Sequence, residues 1–302
     1  MRPSDHVFAS ALNSGVDIWI ETHGPLPGLN SLARRDALIH QLVDSDRRRR
    51  FIEHYRGSAR LTPRQAQPGT GVFDPYAAAV LAHRAGDLDD ALWLVFLATH
   101  FGRHPVSRWR YTEHVYGRLG QGRWDWSTTS SDVPAFSAWL ASNADAVKGA
   151  RPNGFGNHRK RESIGVTGAV VDSYVKWIVP HGGHGDAVEF ITASAGGDPA
   201  DEFELLYESM AAVFRFGRLA RLDYLTTAHR LGLISAVAGR PYLPDATRPL
   251  DGARLLFGVT QPTVVEEVAI DFGRVVGVGF AVLEDAICNW QKTPDTFTRF
   301  RG

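Results

Sequence analysis

From Leu88 to Thr99 the chain reads Leu-Asp-Asp-Ala-Leu-Trp-Leu-Val-Phe-Leu-Ala-Thr, and past the two opening acids a helix drawn through it is apolar on every side. An amphipathic helix can lie on a surface, but a helix with no polar face must be surrounded. The segment is therefore expected to be a central helix. Its neighbours are expected to be helices too, because apolar residues recur with a period near 3.6 along the chain and strand-like alternation is scarce. Helices are expected over 31–55, 74–85, 87–101, 107–119, 133–142, 167–179, 198–214, 217–231, 264–271 and 279–292. Asp74-Pro75 and Asp198-Pro199 place an N-cap acid before a proline at the first helical position, and Gly86 and Gly232 stand where helices should stop. Gly- and Pro-rich loops are expected at 65–71 and 149–157. The second offers a division into an N-terminal helical lobe, 1–150, and a lobe 151–302. The expected fold class is all-α.

With 302 residues, 44% of them hydrophobic, eight Trp and sixteen Phe, the chain can bury a large core. Cys288 is the one cysteine, which excludes a disulfide framework and a cysteine-rich metal site and suits a reducing compartment. No run of eighteen apolar residues occurs, and the first residues lack the apolar stretch of a signal peptide. A cytoplasmic location without a membrane partner is expected. His100 and His104 are four apart, but Gly102 and Pro105 interrupt the helix face they would share, and His181 with His184 offers no obvious carboxylate partner. No metal or other cofactor is expected.

Formal net charge is zero, so a nucleic-acid surface would have to come from segregated charge. Basic blocks stand at Arg47 to Arg50, continuing through His54, Arg56 and Arg60, at Arg103 to Arg123, and at Asn157-His158-Arg159-Lys160-Arg161. Acids gather at 87–90 and 198–208. Arginine outnumbers lysine 29 to 4, a bias that a GC-rich genome produces unaided, so single arginines carry little weight. Clusters carry more, since the guanidinium fork matches phosphate.

Four stretches carry candidate chemistry. In 216–231 a glycine, Gly217, opens a helix on which Asp223, Thr226, Thr227 and Arg230 share one quadrant amid Leu, Ala and Tyr. That stripe reads either as solvated charge or as a presented carboxylate. The stretch from His100 through Gly102 to Trp109-Arg110-Tyr111 interleaves bases with aromatics, as contact with phosphate and with a displaced base requires; helix termination and core packing are its plainer readings. The loop 154–163 sets Asn157, His158, Arg159 and Lys160 beside Gly154 and Gly156, where backbone can approach a ligand. Along 281–292, Val282, Leu283, Ala286, Ile287 and Trp290 form one arc, and Glu284, Asp285, Cys288, Asn289, Gln291 and Lys292 the other.

These places, with Leu26-Pro27-Gly28-Leu29, Gln41-Leu42-Val43-Asp44-Ser45, Phe73-Asp74-Pro75, Phe96-Leu97-Ala98-Thr99-His100-Phe101-Gly102, Val115-Tyr116-Gly117 and Phe216-Gly217-Arg218, resemble the alpha-glutamyl/putrescinyl thymine pyrophosphorylase family, clade 3. The resemblance implies a branch of helix-hairpin-helix DNA glycosylases: an all-α fold of two helical lobes with a DNA cleft between them. It also implies action on a flipped-out, 5-hydroxymethyl-derived pyrimidine in DNA. Phage members are implied to replace an activated group on the 5-methylene with an amine co-substrate, and bacterial relatives to excise modified bases from phage DNA. On this resemblance Asp223 is the first candidate catalyst and Asp285, with Asn289 and Lys292, the second. DNA or substrate contact is assigned to His100, Arg103, His104, Arg108, Arg110, Asn157, His158, Arg159, Lys160 and Arg218. The hairpin departs from the usual glycosylase pattern, having fewer glycines and His229 and Arg230 near the position of the later aspartate. A noncatalytic reader of modified DNA and a helical scaffold with merely solvated charges are the competing readings.

Overall fold

The computed structural model describes residues 2–299. Among them are sixteen α-helices and seven short 3₁₀ helices, and no β-strand; His104 and Arg108 form one isolated bridge. The fold is all-α. Two compact units divide the chain, one of residues 1–51 with 238–301 and the other of 52–237. The division thus falls at 51/52 and 237/238 rather than at 150, and the 149–157 loop lies inside the second unit.

In the second unit, helix Leu88–Phe101 is enclosed as its composition demands: every residue from Asp90 to Phe101 is buried. Helix Pro75–Arg84 covers one side with Ala77 to Val80, residues small enough for close approach. Helix Ile164–Ile178 presents Tyr174, whose ring stacks on Phe96 at 3.7 Å. Helices His184–Thr192 and Arg218–Leu231 pack on it as well. Each large side chain so buried contributes about 1.5–3 kcal/mol, which makes this helix the stable base on which flanking loops are mounted. Asp90 points inward and is satisfied there by the Tyr116 hydroxyl at 2.6 Å and the Trp126 N–H at 3.0 Å.

Local signals place many of the boundaries. Asp74 accepts from the N–H groups of Tyr76 and Ala77, and Asp198 from those of Ala200 and Asp201. Gly86 and Gly232 follow their helices at φ +87° and +77°. Helix Val133–Ser142 has the expected bounds. Helix Pro199–Ser209 stops five residues before the expected 214, its end passing into a 3₁₀ turn at Met210–Ala212.

The first unit is built on helices His6–His23, Thr247–Phe257, Pro262–Val276 and Phe280–Trp290 with the first three-quarters of Leu32–Gly57. Leu12, Val16, Trp19, Leu38, Leu42, Phe272, Leu283, Ile287 and Trp290 form its core. A Cβ at Gly15 would stand 2.6 Å from Val276 Cα, and one at Gly252 would stand 2.5 Å from Ile287 O, so both helix pairs touch through backbone that only glycine permits. Two of these helices were not expected from the sequence. Thr247–Phe257 contains Pro249 and Gly252, residues that argue against a helix, but Pro249 sits in the first turn, where an N–H has no intrahelical partner to lose. In His6–His23, Gly15 interrupts the pattern for the packing reason just given.

A buried polar chain ties four helices of the second unit. Asp89 accepts from the backbone N–H and Nδ1 of His184 at 2.6 and 2.7 Å, Nε2 of His184 meets the Tyr174 hydroxyl at 2.7 Å, and that hydroxyl meets Tyr224 at 2.9 Å. Burial lowers the His184 pKa, so the ring is neutral, with Nδ1–H donating to Asp89 and Nε2 accepting from Tyr174. Tyr174→Phe leaves both His184 and Tyr224 without that hydroxyl and is expected to cost about 1–3 kcal/mol. A denaturation midpoint indistinguishable from that of the unmodified chain, at equal slope, would contradict this.

Candidate functional site

Helix Leu88–Phe101 ends at Gly102, with φ +66°. Immediately beyond, the second basic segment and the 154–163 loop meet through backbone: Gly156 N–H donates to Phe101 O at 2.8 Å, and a Cβ on Gly156 would stand 2.7 Å from Gly102 C. Two glycines facing each other bring together groups more than fifty residues apart. The 104–108 turn is closed on itself, His104 N–H to Arg108 O at 2.9 Å and Arg108 N–H to His104 O at 3.0 Å, and Nδ1 of His104 accepts from the N–H groups of Val106 and Ser107. His104, Pro105, Val106, Phe155, Asn157 and Lys160 then line an open pocket of about 430 Å³. Ligand pockets commonly span about 300–1,000 Å³.

Two residues assigned to ligand contact instead lie inside. His100 has no exposed surface; Nε2 meets Thr167 Oγ1 at 3.0 Å and its ring stacks between neighbours that include Phe96. Burial, with the charges of Arg159 and Arg215, pushes its pKa down to about 3. Arg159 is 7% exposed, donates from Nε to His100 O at 3.3 Å and lies 5.2 Å over the Phe216 ring. Both correct the expectation of direct contact: they hold the 154–163 loop against the central helix. The Arg215 to Glu162 pair, 2.9 Å, fastens the same loop to the turn before helix Arg218–Leu231.

On that helix Thr226 and Thr227 are buried, while the Asp223 side chain keeps 40% of its surface exposed. Its Oδ2 is 3.5 Å from Nδ1 of His158. Tyr76 shares a hydrogen bond with Thr227 and lies in the field of Asp223, and burial followed by that charge raises its pKa above the ordinary phenol value. The Tyr55 hydroxyl donates to Asp74 at 2.9 Å and is raised by burial and by Asp74. Both phenols are therefore protonated donors around neutral pH. Arg103 interacts with Asp74, Tyr55 and Tyr76, and its pKa is lowered by burial and by Arg108. The polar stripe is thus neither simply solvated nor isolated. Tyr55, Tyr76 and the second role of Asp74, beyond its cap, were missed in the sequence, where nothing marks two tyrosines twenty-one residues apart as neighbours of each other, or Tyr76 as lying in the field of Asp223.

The basic blocks have opposite fates. Arg47 pairs with Asp5 at 2.6 Å, Arg48 with Asp44 and Asp285 at 2.5 Å each, Arg49 with Asp46 at 2.7 Å and Arg50 with Asp5 and Asp46 at 2.7 Å each. The Arg47 guanidinium holds the Asp5 carboxyl below its usual range. This block is neutralised within its own unit, which corrects its reading as segregated charge. Arg103, Arg108, Arg110 and Lys160, by contrast, are exposed and form no ion pair among the described residues.

A model of the alpha-glutamyl/putrescinyl thymine pyrophosphorylase family, clade 3, matches residues 33–302. The chain belongs to this family. No curated protein and no solved structure matches it. In this pyrophosphorylase-family chain the matched span takes in both candidate acids, Asp223 in one compact unit and Asp285 in the other.

Asp285 is held on both oxygens. Ser45 Oγ donates to Oδ2 at 2.7 Å, Arg48 Nη2 to the same atom at 2.5 Å, and Asn289 Nδ2 to Oδ1 at 3.0 Å; Lys292 Nζ in turn donates to Asn289 at 2.7 Å. The expected Asp285, Asn289 and Lys292 grouping is assembled, with Ser45 and Arg48 joining it from across the unit. A carboxylate so saturated with donors serves the ion-pair network first. Cys288 beside it is a protonated thiol near neutral pH, its pKa pushed up to about 11 by burial and Glu284. Arg218 sits half-buried in the first turn of its helix. Among the described residues no three His, Cys, Asp or Glu side chains gather as a metal set, and no helix is long and apolar enough to cross a membrane.

The buried histidine makes stability depend on pH. Its ordinary value of 6.5 applies to the unfolded chain and about 3 to the folded one, so within that window the unfolded chain binds a proton that the folded chain does not. Stability is expected to rise with pH across the window and to fall on acidification, and His100→Gln should flatten the dependence. Melting temperatures of both proteins against pH test this, and parallel curves would refute it.

Proposed function

We propose that the protein processes a 5-hydroxymethyl-derived pyrimidine that has been extruded from DNA, with Asp223 as the group that handles the proton. The observation that carries the reading is the pairing, within one compact unit, of a part-exposed carboxylate with cations not held in ion pairs: Asp223 and His158 at 3.5 Å, with Arg103, Arg108, Arg110 and Lys160 forming no salt bridge among the described residues. Uncompensated surface arginine and lysine favour a polyanion, since binding releases its counterions. A base must leave the stack to meet a reactive group set in a protein site, and phenol donors such as Tyr76, in the field of the acid, suit a site built for a polar ring.

The family's name supports substitution over excision. In substitution the amine nitrogen attacks the 5-methylene carbon, the bond from that carbon to its activating oxygen breaks, the leaving group departs with the electron pair, and Asp223 accepts the proton the new C–N bond makes acidic. In excision the glycosidic bond breaks instead, the base leaves with the electron pair, and the same carboxylate stabilises the positive sugar and takes the proton of the water that adds to it. No cofactor enters either scheme. The partners are DNA carrying the modified pyrimidine and, for substitution, an amine.

Asp223→Asn is expected to fold and bind DNA while losing turnover, general-base removal typically costing about 10²–10⁴-fold. Mass spectrometry of nucleosides after incubation with duplexes bearing thymine, 5-hydroxymethyluracil or its pyrophosphorylated form reads the result. Heavier nucleosides mean substitution and abasic sites mean excision; full activity in the variant would remove Asp223 from the mechanism. Replacing Arg103, Arg108 and Arg110 by Gln should lessen the slope of log affinity against log salt by about 0.9 for each phosphate no longer neutralised. An unaltered slope would place the DNA elsewhere.

A further inference from the structure

The pocket on the 104–108 turn has a donor whose orientation is fixed by the backbone. Nδ1 of His104 accepts from Val106 N–H at 3.3 Å and Ser107 N–H at 3.1 Å, with the Ser107 hydroxyl at 3.0 Å. A backbone N–H can only donate, so Nδ1 carries the lone pair and the neutral ring bears its proton on Nε2. The edge bearing Nε2 faces Gly154, where a Cβ would stand 3.5 Å from it; the missing side chain leaves this N–H open.

The opposite wall comes from the 155–160 segment. Asn157 is half-buried there, Lys160 is exposed, and Phe155 supplies an apolar flank. The lining contains no carboxylate and no guanidinium fork. Nearby, Arg103 is made less basic by burial and by Arg108, a repulsion between cations that an anion would relieve. Donors converging from two separate loops suit a ligand whose acceptor oxygens point in several directions. A tetrahedral phosphoryl group has that shape, whereas a planar carboxylate is better met by the bidentate arginine that is missing from the lining.

We propose that this pocket is a phosphoryl-binding site, in which His104 Nε2–H, the Asn157 amide and the Lys160 ammonium donate to the oxygens and Phe155 flanks the group that carries them. It deepens the DNA-processing reading and rests on it for its role, since it gives the phosphoryl chemistry of the substrate a place of its own on the loop that carries His158, the neighbour of Asp223. The phosphoryl group can belong to the DNA backbone or to a pyrophosphoryl substituent, and the two sources are separable by experiment.

Calorimetric titration with inorganic pyrophosphate, and in parallel with duplex DNA at low salt, is performed on the unmodified protein and on His104→Asn, His104→Gln and Lys160→Gln. Asn keeps an acceptor near the Nδ1 position but loses the outer N–H, and Gln does the reverse. His104→Asn and Lys160→Gln are expected to weaken binding about tenfold or more, as loss of a hydrogen bond to a charged group implies. His104→Gln should retain more of the affinity while lowering the melting temperature through the loosened turn. Weakened pyrophosphate binding assigns the site to a pyrophosphoryl substituent, and weakened duplex binding alone assigns it to the backbone. Both support the proposal. Unchanged affinity for both ligands in His104→Asn and Lys160→Gln overturns it, as does failure of the unmodified protein to bind either. Lys160→Gln decides the matter should His104→Asn melt early, because Lys160 is exposed and unpaired. Asp223→Asn is expected to bind both ligands normally, so loss of turnover there alongside unchanged binding in the pocket variants would sink this site and spare the catalytic reading.

Discussion

Helix Leu88–Phe101 has no face it can show to water, and the second compact unit is arranged around that constraint. Helices wall it in, and Asp90, the acid that enters its surroundings, does so with Tyr116 and Trp126 as partners. An element so fully packed is costly to move, because the interior offers no voids to move into. The chain leaving it at Gly102 therefore starts from a fixed point. The 104–108 turn, the 154–163 loop clamped to Phe101, and the Arg218–Leu231 helix that packs on the same core all take their positions from it.

Charge in this protein is organised by compensation rather than by amount. Arg47 to Arg50 look like the densest basic patch, yet Asp5, Asp44, Asp46 and Asp285 balance them, three of those acids being buried. Such a network binds its own chain together and has little attraction left for a polyanion. The sparser set, Arg103, Arg108, Arg110 and Lys160, keeps its charge because the acids near it are otherwise engaged: Glu162 with Arg215, and Asp74 with its helix cap and Tyr55. The same distinction separates the two candidate acids. Asp285 is saturated by donors, whereas Asp223 meets one histidine at the long distance of 3.5 Å and remains part-exposed.

Much of the helical framework was legible because its signals are local. The Asp-Pro caps at 74 and 198, the stop at Gly232 and the apolar run at 88–99 each depend on residues within a few positions of one another. Thr247–Phe257 was illegible because Pro249 and Gly252 are breakers by propensity and become acceptable only through position in the first turn and contact with Ile287. At the candidate site, the sequence pointed to Asp223 and to the bases of the two loops, but placed His100 and Arg159 at a surface. Nothing within either segment reveals that Arg159 turns inward onto Phe216 and the His100 carbonyl.

By itself, then, the sequence determined the all-α class, the central helix, most helix ends and the family to which the chain belongs, since periodicity, capping and motif all act through neighbours along the backbone. Arg48, Arg49 and Arg50 meet Asp44 and Asp46 three or four positions away on their own helix, but tertiary structure alone decided that Asp5 and Asp285 join them, which histidine is enclosed and that Tyr76 lies in the field of Asp223. Those outcomes turn on pairings between groups dozens to hundreds of residues apart, such as Gly102 with Gly156 and Arg48 with Asp285. Whether a charge meets a distant opposite charge or water is set by the folded packing, which spacing along one helix does not encode.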